Sequence, residues 1–188
     1  MTEYLQRHRK TLLQLVRASI QHGLSHDRPL EVSLDDYDDT LLQHSATFVT
    51  LHKQGRLRGC IGQLIANRPL VVDIAMNAYA AAFQDPRFPP LSANEYPDLT
   101  VDISILSQPE LMNVHSDEEL LAQIKPGHDG LIIEKGVKRG TFLPSVWEQL
   151  PDPRDFLQHL KRKAGLSEDD QSPDIVYYRY TTLCLSED

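Results

Sequence analysis

The sequence predicts an α+β fold, and three observations predict it. Two pairs of β-type stretches, Thr47 to Ile65 and Leu131 to Leu143, are each joined by a short glycine-containing turn and read as hairpins. Helical patterns surround these hairpins without alternating strictly with single strands, as a parallel βαβ array would require. No long repeat or low-complexity tract interrupts the order. With 188 residues and 40% hydrophobic content, the chain can bury a real core. One domain over residues 1–188 is expected, either a single compact unit or two tightly joined lobes.

In chain order, Leu5, Leu12, Leu13, Leu15, Val16 and Ile20 recur near helical spacing and predict an amphipathic helix from Glu3 to Gln21, with Gly23 as its stop. Gly23 to Thr40 holds Pro29 and the acidic run Asp35-Asp36-Tyr37-Asp38-Asp39, which reads as a solvated loop. Thr47 to Lys53 has the β-branched and aromatic content of a strand, and Gln54-Gly55 turns it into a second strand from Arg56 to Ile65. After Asn67-Arg68-Pro69, a helix from Leu70 to Phe83 places Leu70, Ile74, Ala78 and Ala81 on one face and should pack on the second strand. The proline-rich loop from Gln84 to Leu91 has a preorganised backbone, so Asp85 and Arg87 are held in place. Asp98 to Ser107 alternates apolar and polar residues with the period of a half-buried strand, ended by Gln108-Pro109-Glu110. Ser116 and Glu119 form a capping box for a short helix that Pro126-Gly127 stops. The second hairpin follows, with Lys135-Gly136 at its turn, then a helical turn at Pro144 to Glu148. Asp152 as N-cap with Pro153 behind it starts a helix to Ala164. The last strand is predicted from Ile175 to Leu185, with Cys184 buried near its end.

Charge and cysteine usage exclude several classes. A net charge of −8 and a pI near 5.4 argue against a non-specific nucleic-acid binder, which needs a concentrated surplus of Lys and Arg. Two cysteines, Cys60 and Cys184, are too few for a disulfide-stapled module or a zinc ribbon and point to a reducing compartment. No apolar core of signal-peptide length follows Met1, and no apolar run approaches the roughly 20 residues that span a bilayer. A cytoplasmic protein is expected. Without HExxH, CxxC, a P-loop or a GxGxxG turn, no metal or cofactor is predicted.

The chemistry is predicted to lie in Arg56-Leu57-Arg58-Gly59-Cys60-Ile61-Gly62. Gly59 and Gly62 beside Cys60 would let a ligand or a second backbone approach the sulfur, and Arg56 and Arg58 would favour the thiolate. A nucleophilic cysteine needs a base and a carboxylate to orient it. His128 with Asp129 would supply them, or His52 on the same hairpin as Cys60. The competing reading makes Cys60 a buried core residue, its glycines the mark of a bulge, and Asp85 a helix cap or a structural partner of Arg87.

Leu57-Arg58-Gly59-Cys60-Ile61-Gly62 matches the signature hexapeptide of the AMMECR-one domain family, called AmmeMemoRadiSam system protein A in prokaryotes. The resemblance continues through Phe48-Val49-Thr50-Leu51, Asp85-Pro86-Arg87-Phe88-Pro89-Pro90, Gln108-Pro109-Glu110, Gly127-His128-Asp129-Gly130-Leu131-Ile132, Phe142-Leu143-Pro144 and Lys163-Ala164-Gly165-Leu166. These fall in the family's order over nearly the whole chain. The resemblance implies an antiparallel sheet flanked by helices, with a smaller subdomain and a cleft between them. It also implies that the Asp85–Arg87 loop is part of the cleft wall, and that the partners are a Memo-type protein and a radical-SAM protein. Members often carry a cysteine where Lys161 follows Leu160 here, so no two-cysteine mechanism through that position applies. The resemblance implies no particular reaction. In an accessory enzyme or substrate-binding component, Cys60, His128 and Asp129 would be catalytic, and Arg58, Gly59, Gly62, Asp85 and Arg87 would contact a small-molecule or peptide ligand. The alternative is a non-catalytic protein adaptor that uses the same strand as a recognition surface. RNA binding ranks last because of the acidic balance.

Overall fold

The computed structural model describes residues 2–187. Its helices and strands run α1 (Thr2–Arg7), α2 (Arg9–His26), β1 (Thr47–Lys53), β2 (Arg56–Gly62), α3 (Leu70–Phe83), β3 (Leu99–Leu106), β4 (Glu110–Leu111), α4 (Asp117–Gln123), β5 (Gly130–Lys135), β6 (Lys138–Phe142), α5 (Pro153–Lys163), β7 (Val176–Tyr180) and β8 (Thr182–Ser186). The fold is α+β, with helices flanking antiparallel sheets. Two compact units form, one from the chain up to Leu106 together with the chain from Leu183 on, the other from Ser107–Thr182.

The first unit is built on a four-stranded sheet in the order β2-β1-β3-β8. Alternation in β1 and β3 buries Val49, Leu51, Val101 and Ile103, which join Leu12, Val16 and Ile20 of α2 and Ile74 and Ala78 of α3 in one core. The other face carries Phe48, Thr50 and His52, which remain partly open. Gln54 and Gly55 both take positive φ, 53° and 73°, as a two-residue hairpin turn demands. Asp73 anchors α3 to β1: fully buried, it accepts from the Thr47 N–H at 2.9 Å, the Thr47 hydroxyl at 2.7 Å and the Asn77 amide at 2.9 Å, and pairs with Arg68 at 2.9 Å. A buried carboxylate is tolerated only when it is satisfied in this way.

Several boundaries depart from expectation, the second strand ending at Gly62 and not Ile65 among them. The single helix predicted from Glu3 to Gln21 is α1 and α2, broken at His8. Gly23 does not end α2, which runs on to His26 and closes at Asp27 with φ 53°. A Cβ at Gly23 would lie 2.4 Å from the Phe83 ring, so this glycine admits the crossing α3. The last strand, predicted as one, is β7 and β8, which belong to different sheets. The second unit is therefore an insertion between β3 and β8. Its ends are joined, because Ser107 N–H donates to the Thr181 carbonyl at 2.9 Å and Thr181 N–H to the Ser107 hydroxyl at 3.0 Å.

The second unit has a sheet in the order β4-β7-β5-β6. Leu131 and Ile133 of β5 and Tyr177 of β7 pack with Leu120, Phe156 and Leu160 from α4 and α5, and Trp147 stacks on Phe156 at 3.7 Å. Ser116 caps α4 and Asp152 caps α5, as read from the sequence. The short β4 was not foreseen; Pro109 hides a two-residue pairing with β7. Lys161 is fully buried and donates to Asp117 at 2.6 Å and to the Asp170 carbonyl at 2.7 Å. Among the described residues no helix is long and apolar enough to cross a membrane.

Candidate functional site

The geometry around Cys60 follows from one irregularity in the β1–β2 ladder. Leu51 pairs with Gly59 but His52 pairs with Leu57, so Arg58 is the extra residue of a β-bulge. Simple alternation would place Arg58 and Cys60 on one face. Instead Arg58 is 7% exposed and lies against Glu95, its Nε 2.9 Å from Oε1 and its Nη2 3.1 Å from Oε2. Its Nη2 also donates to the Pro89 carbonyl at 3.0 Å, and its guanidinium lies over the Phe88 ring. Glu95 holds Lys53 as well, the β1 position in phase with buried Val49 and Leu51. Arg58, with the Ser92 N–H behind it, holds Glu95 well below the usual carboxylate range. The residue expected to stabilise the thiolate is thus buried and ion-paired elsewhere.

The two glycines are filled by the protein itself. A Cβ on Gly59 would stand 2.1 Å from the Ala81 carbonyl oxygen of α3, and one on Gly62 would stand 2.3 Å from the Thr47 carbonyl and 2.4 Å from the Phe48 ring. What they admit is a helix backbone and an aromatic ring, the second-backbone role that glycine also serves.

Cys60, half-buried, is fixed through its peptide group. Its N–H donates to Asp85 Oδ2 at 2.9 Å, and its carbonyl accepts from Arg87 Nη2 at 3.2 Å. Asp85 is 4% exposed and takes Arg87 in a forked pair, Nη2 to Oδ2 at 2.7 Å and Nε to Oδ1 at 3.0 Å. Arg87 first, then burial working against it and the Cys60 and Arg87 N–H groups working with it, leave Asp85 well below the usual carboxylate range. Arg87 is raised, chiefly by Asp85, with a smaller pull from the Cys60 sulfur. Since β2 is an edge strand, this pair also covers a peptide that would otherwise be open to another strand.

The sulfur itself faces the open side of the sheet. Thr50, opposite Cys60 on β1, donates its hydroxyl to Sγ at 3.3 Å. Thr50 is also opposite Asp102 on β3, and Asp102 Oδ2 lies 3.2 Å from His52 Nδ1. One face of three adjacent strands therefore carries a thiol, a hydroxyl, a carboxylate and an imidazole. Cys184, expected to be buried, is exposed, its sulfur 3.7 Å from the Ser104 hydroxyl.

His128 and Asp129 belong to the second unit. The His128 ring is mostly exposed, with Nδ1 3.5 Å from Asp129 Oδ1. Asp129 is buried and structural in its contacts: Oδ2 accepts the Lys125 N–H at 2.9 Å, and its carbonyl accepts from Trp147 Nε1 at 2.7 Å. Among the described residues no group of three or more His, Cys, Asp or Glu side chains converges closely enough to hold a metal ion. Sequence reasoning missed Thr50, Asp102 and Glu95. The polar phase of the strands contained the first two, but only the register places Thr50 opposite Cys60 and Asp102 opposite Thr50.

Comparison with known proteins agrees with this architecture. A protein of Methanothermobacter thermautotrophicus is 38% identical over 181 residues, covering 95% of this chain and 94% of its own. Protein TK0174 of Thermococcus kodakarensis is 38% identical over 186 residues, covering 94% and 89%. The crystal structure of the uncharacterised protein PH0010 from Pyrococcus horikoshii superposes with a TM-score of 0.85 at 35% identity, over 95% of this chain and 90% of that one. The AMMECR1 family model matches residues 13–185, which take in the Cys60 hairpin, the Asp85–Arg87 loop and all of the inserted unit, and the chain belongs to the AMMECR1 family.

Proposed function

We propose that this protein is a cytosolic accessory enzyme or substrate-binding component that acts with Memo-type and radical-SAM proteins, and that Cys60 is the group that reacts with or contacts its ligand. The partners come from the family resemblance; the role of Cys60 rests on local geometry. The observation that carries it is a thiol on the open face of a sheet, its peptide held at both N–H and C=O while a hydroxyl donates to the sulfur. A hydrogen bond to sulfur favours the charged form, and a fixed peptide holds the nucleophile in one orientation. A core cysteine needs neither.

Co-expression with a Memo-type and a radical-SAM protein tests this reading. Intact-mass analysis should find a covalent adduct or a retained small molecule in the wild-type complex, lost in Cys60→Ser while co-elution of the proteins persists. A Cys60→Ser protein that carries the same cargo and the same partners would mean a non-catalytic adaptor instead.

A further inference from the structure

The pair formed by His52 and Asp102 is not needed to hold the sheet, since its strands are already joined by a regular ladder from Thr47↔Ile105 to Lys53↔Leu99. It is nevertheless the only histidine–carboxylate pair the ladder brings to the Cys60 side of β1 and β3 among the described residues. Thr50 and His52 are two apart on β1 and share a face, and Cys60 lies directly opposite Thr50. Cys60 and His52 are therefore diagonal neighbours, a relation that separates Cα atoms by about 7–8 Å. Asp102 engages Nδ1, which leaves Nε2 on the side of the ring away from β3.

We propose that His52, oriented by Asp102, is the proton acceptor for the Cys60 thiol. This rests on the reading of Cys60 as a reactive group and adds the residue that serves it. In the step, the Cys60 S–H bond breaks and an N–H bond forms at His52 Nε2, across one bridging water or a substrate atom. The thiolate and imidazolium so formed balance in charge, Asp102 stabilises the imidazolium, and the proton returns to the sulfur or to a leaving group on the substrate. The Thr50 hydroxyl, donating to the sulfur, stabilises the thiolate left behind. Such a site takes a neutral electrophile, for an anion would meet Asp102 on the same face.

Among the described residues the titratable groups on the His52 face of the neighbouring strands are Cys60 of β2, with the Arg87 guanidinium at its carbonyl, and Asp102 of β3, while Cys184 of β8 lies farther along beside Ser104. Lys53, in the opposite phase of β1, and the bulged Arg58 are both taken by Glu95, and Glu187 beyond β8 is taken by Arg17 and the Val101 N–H.

The test is the rate of Cys60 alkylation by iodoacetamide, a neutral probe, against pH in the full chain, read by peptide mass spectrometry in wild type, His52→Gln and Asp102→Asn. His52→Gln should lose about tenfold in rate near neutrality. Asp102→Asn, which keeps the shape and removes the charge, should lose about threefold. As a readout in unaltered strands, the His52 imidazole titration followed by NMR should shift between wild type and Cys60→Ser. If wild type and His52→Gln give one superimposable profile with Cys60 labelled in the folded chain, His52 has no such role and the reactive-thiol reading stands. If wild-type Cys60 stays unlabelled at every pH, the reactive-thiol reading falls and this proposal with it. An identical His52 titration in wild type and Cys60→Ser also overturns the proposal.

Discussion

Asp85 and Arg87 act on Cys60 through its peptide group, and Arg58 acts on Glu95, so the charges nearest the signature cysteine work mainly on backbone position. Asp85→Ala should therefore cost stability, about 1–3 kcal/mol for the Cys60 N–H and the Arg87 guanidinium left without their buried acceptor, measurable as a lower urea midpoint. The pH dependence has a definite sign. Asp85 and Glu95 are both lowered in the folded protein, by Arg87 and Arg58 respectively. Their contribution is fully present above the unfolded carboxylate values of about 4 and is lost as the pH falls through the folded ones. Stability should fall on the acid side below about pH 4, with a shallower fall in the double variant Asp85→Asn, Glu95→Gln; equal slopes would contradict the assigned pairs.

Gly59 and Lys161 show what an element asks of a single position. Gly59→Ala sets a Cβ against a helix carbonyl that has no side chain to swing aside, and should destabilise the first unit by about 3 kcal/mol in equilibrium unfolding. Lys161→Ala leaves Asp117 without its ammonium and should cost about 3 kcal/mol, with the loss read in signals from the Ser107–Thr182 unit. Most elements were legible in the sequence because periodicity and caps are local: β1 and α3 have the predicted bounds, and Ser116 and Asp152 cap the helices they were assigned. The departures arise where a tertiary contact decides. Gly23 looks like a stop until Phe83 packs on it, and Ile175 to Leu185 looks like one strand until its halves join different sheets. The candidate site was legible to the same degree. The sequence marks Cys60, Asp85 and Arg87, but a one-residue bulge, which no periodicity reveals, sends Arg58 away and leaves Thr50 against the thiol, with His52 and Asp102 farther along the same face.

The whole chain is a sheet-and-helix unit interrupted between β3 and β8 by a second unit with its own core. Because Ser107 and Thr181 are hydrogen-bonded across the interruption, a short turn can replace residues 108–180, and the shortened protein should keep the Cys60 environment. All the groups that fix the Cys60 peptide and touch its sulfur lie within the first unit, which is the central claim about the site. The most direct measurement is the pH profile of Cys60 alkylation in wild type and Thr50→Val, with exposed Cys184 labelled in the same sample for comparison. Labelling of Cys60 in the folded protein, slowed across the profile in Thr50→Val while the rate at Cys184 is unchanged, is the result predicted. Labelling of Cys60 only on unfolding, or a profile indifferent to Thr50, would contradict it.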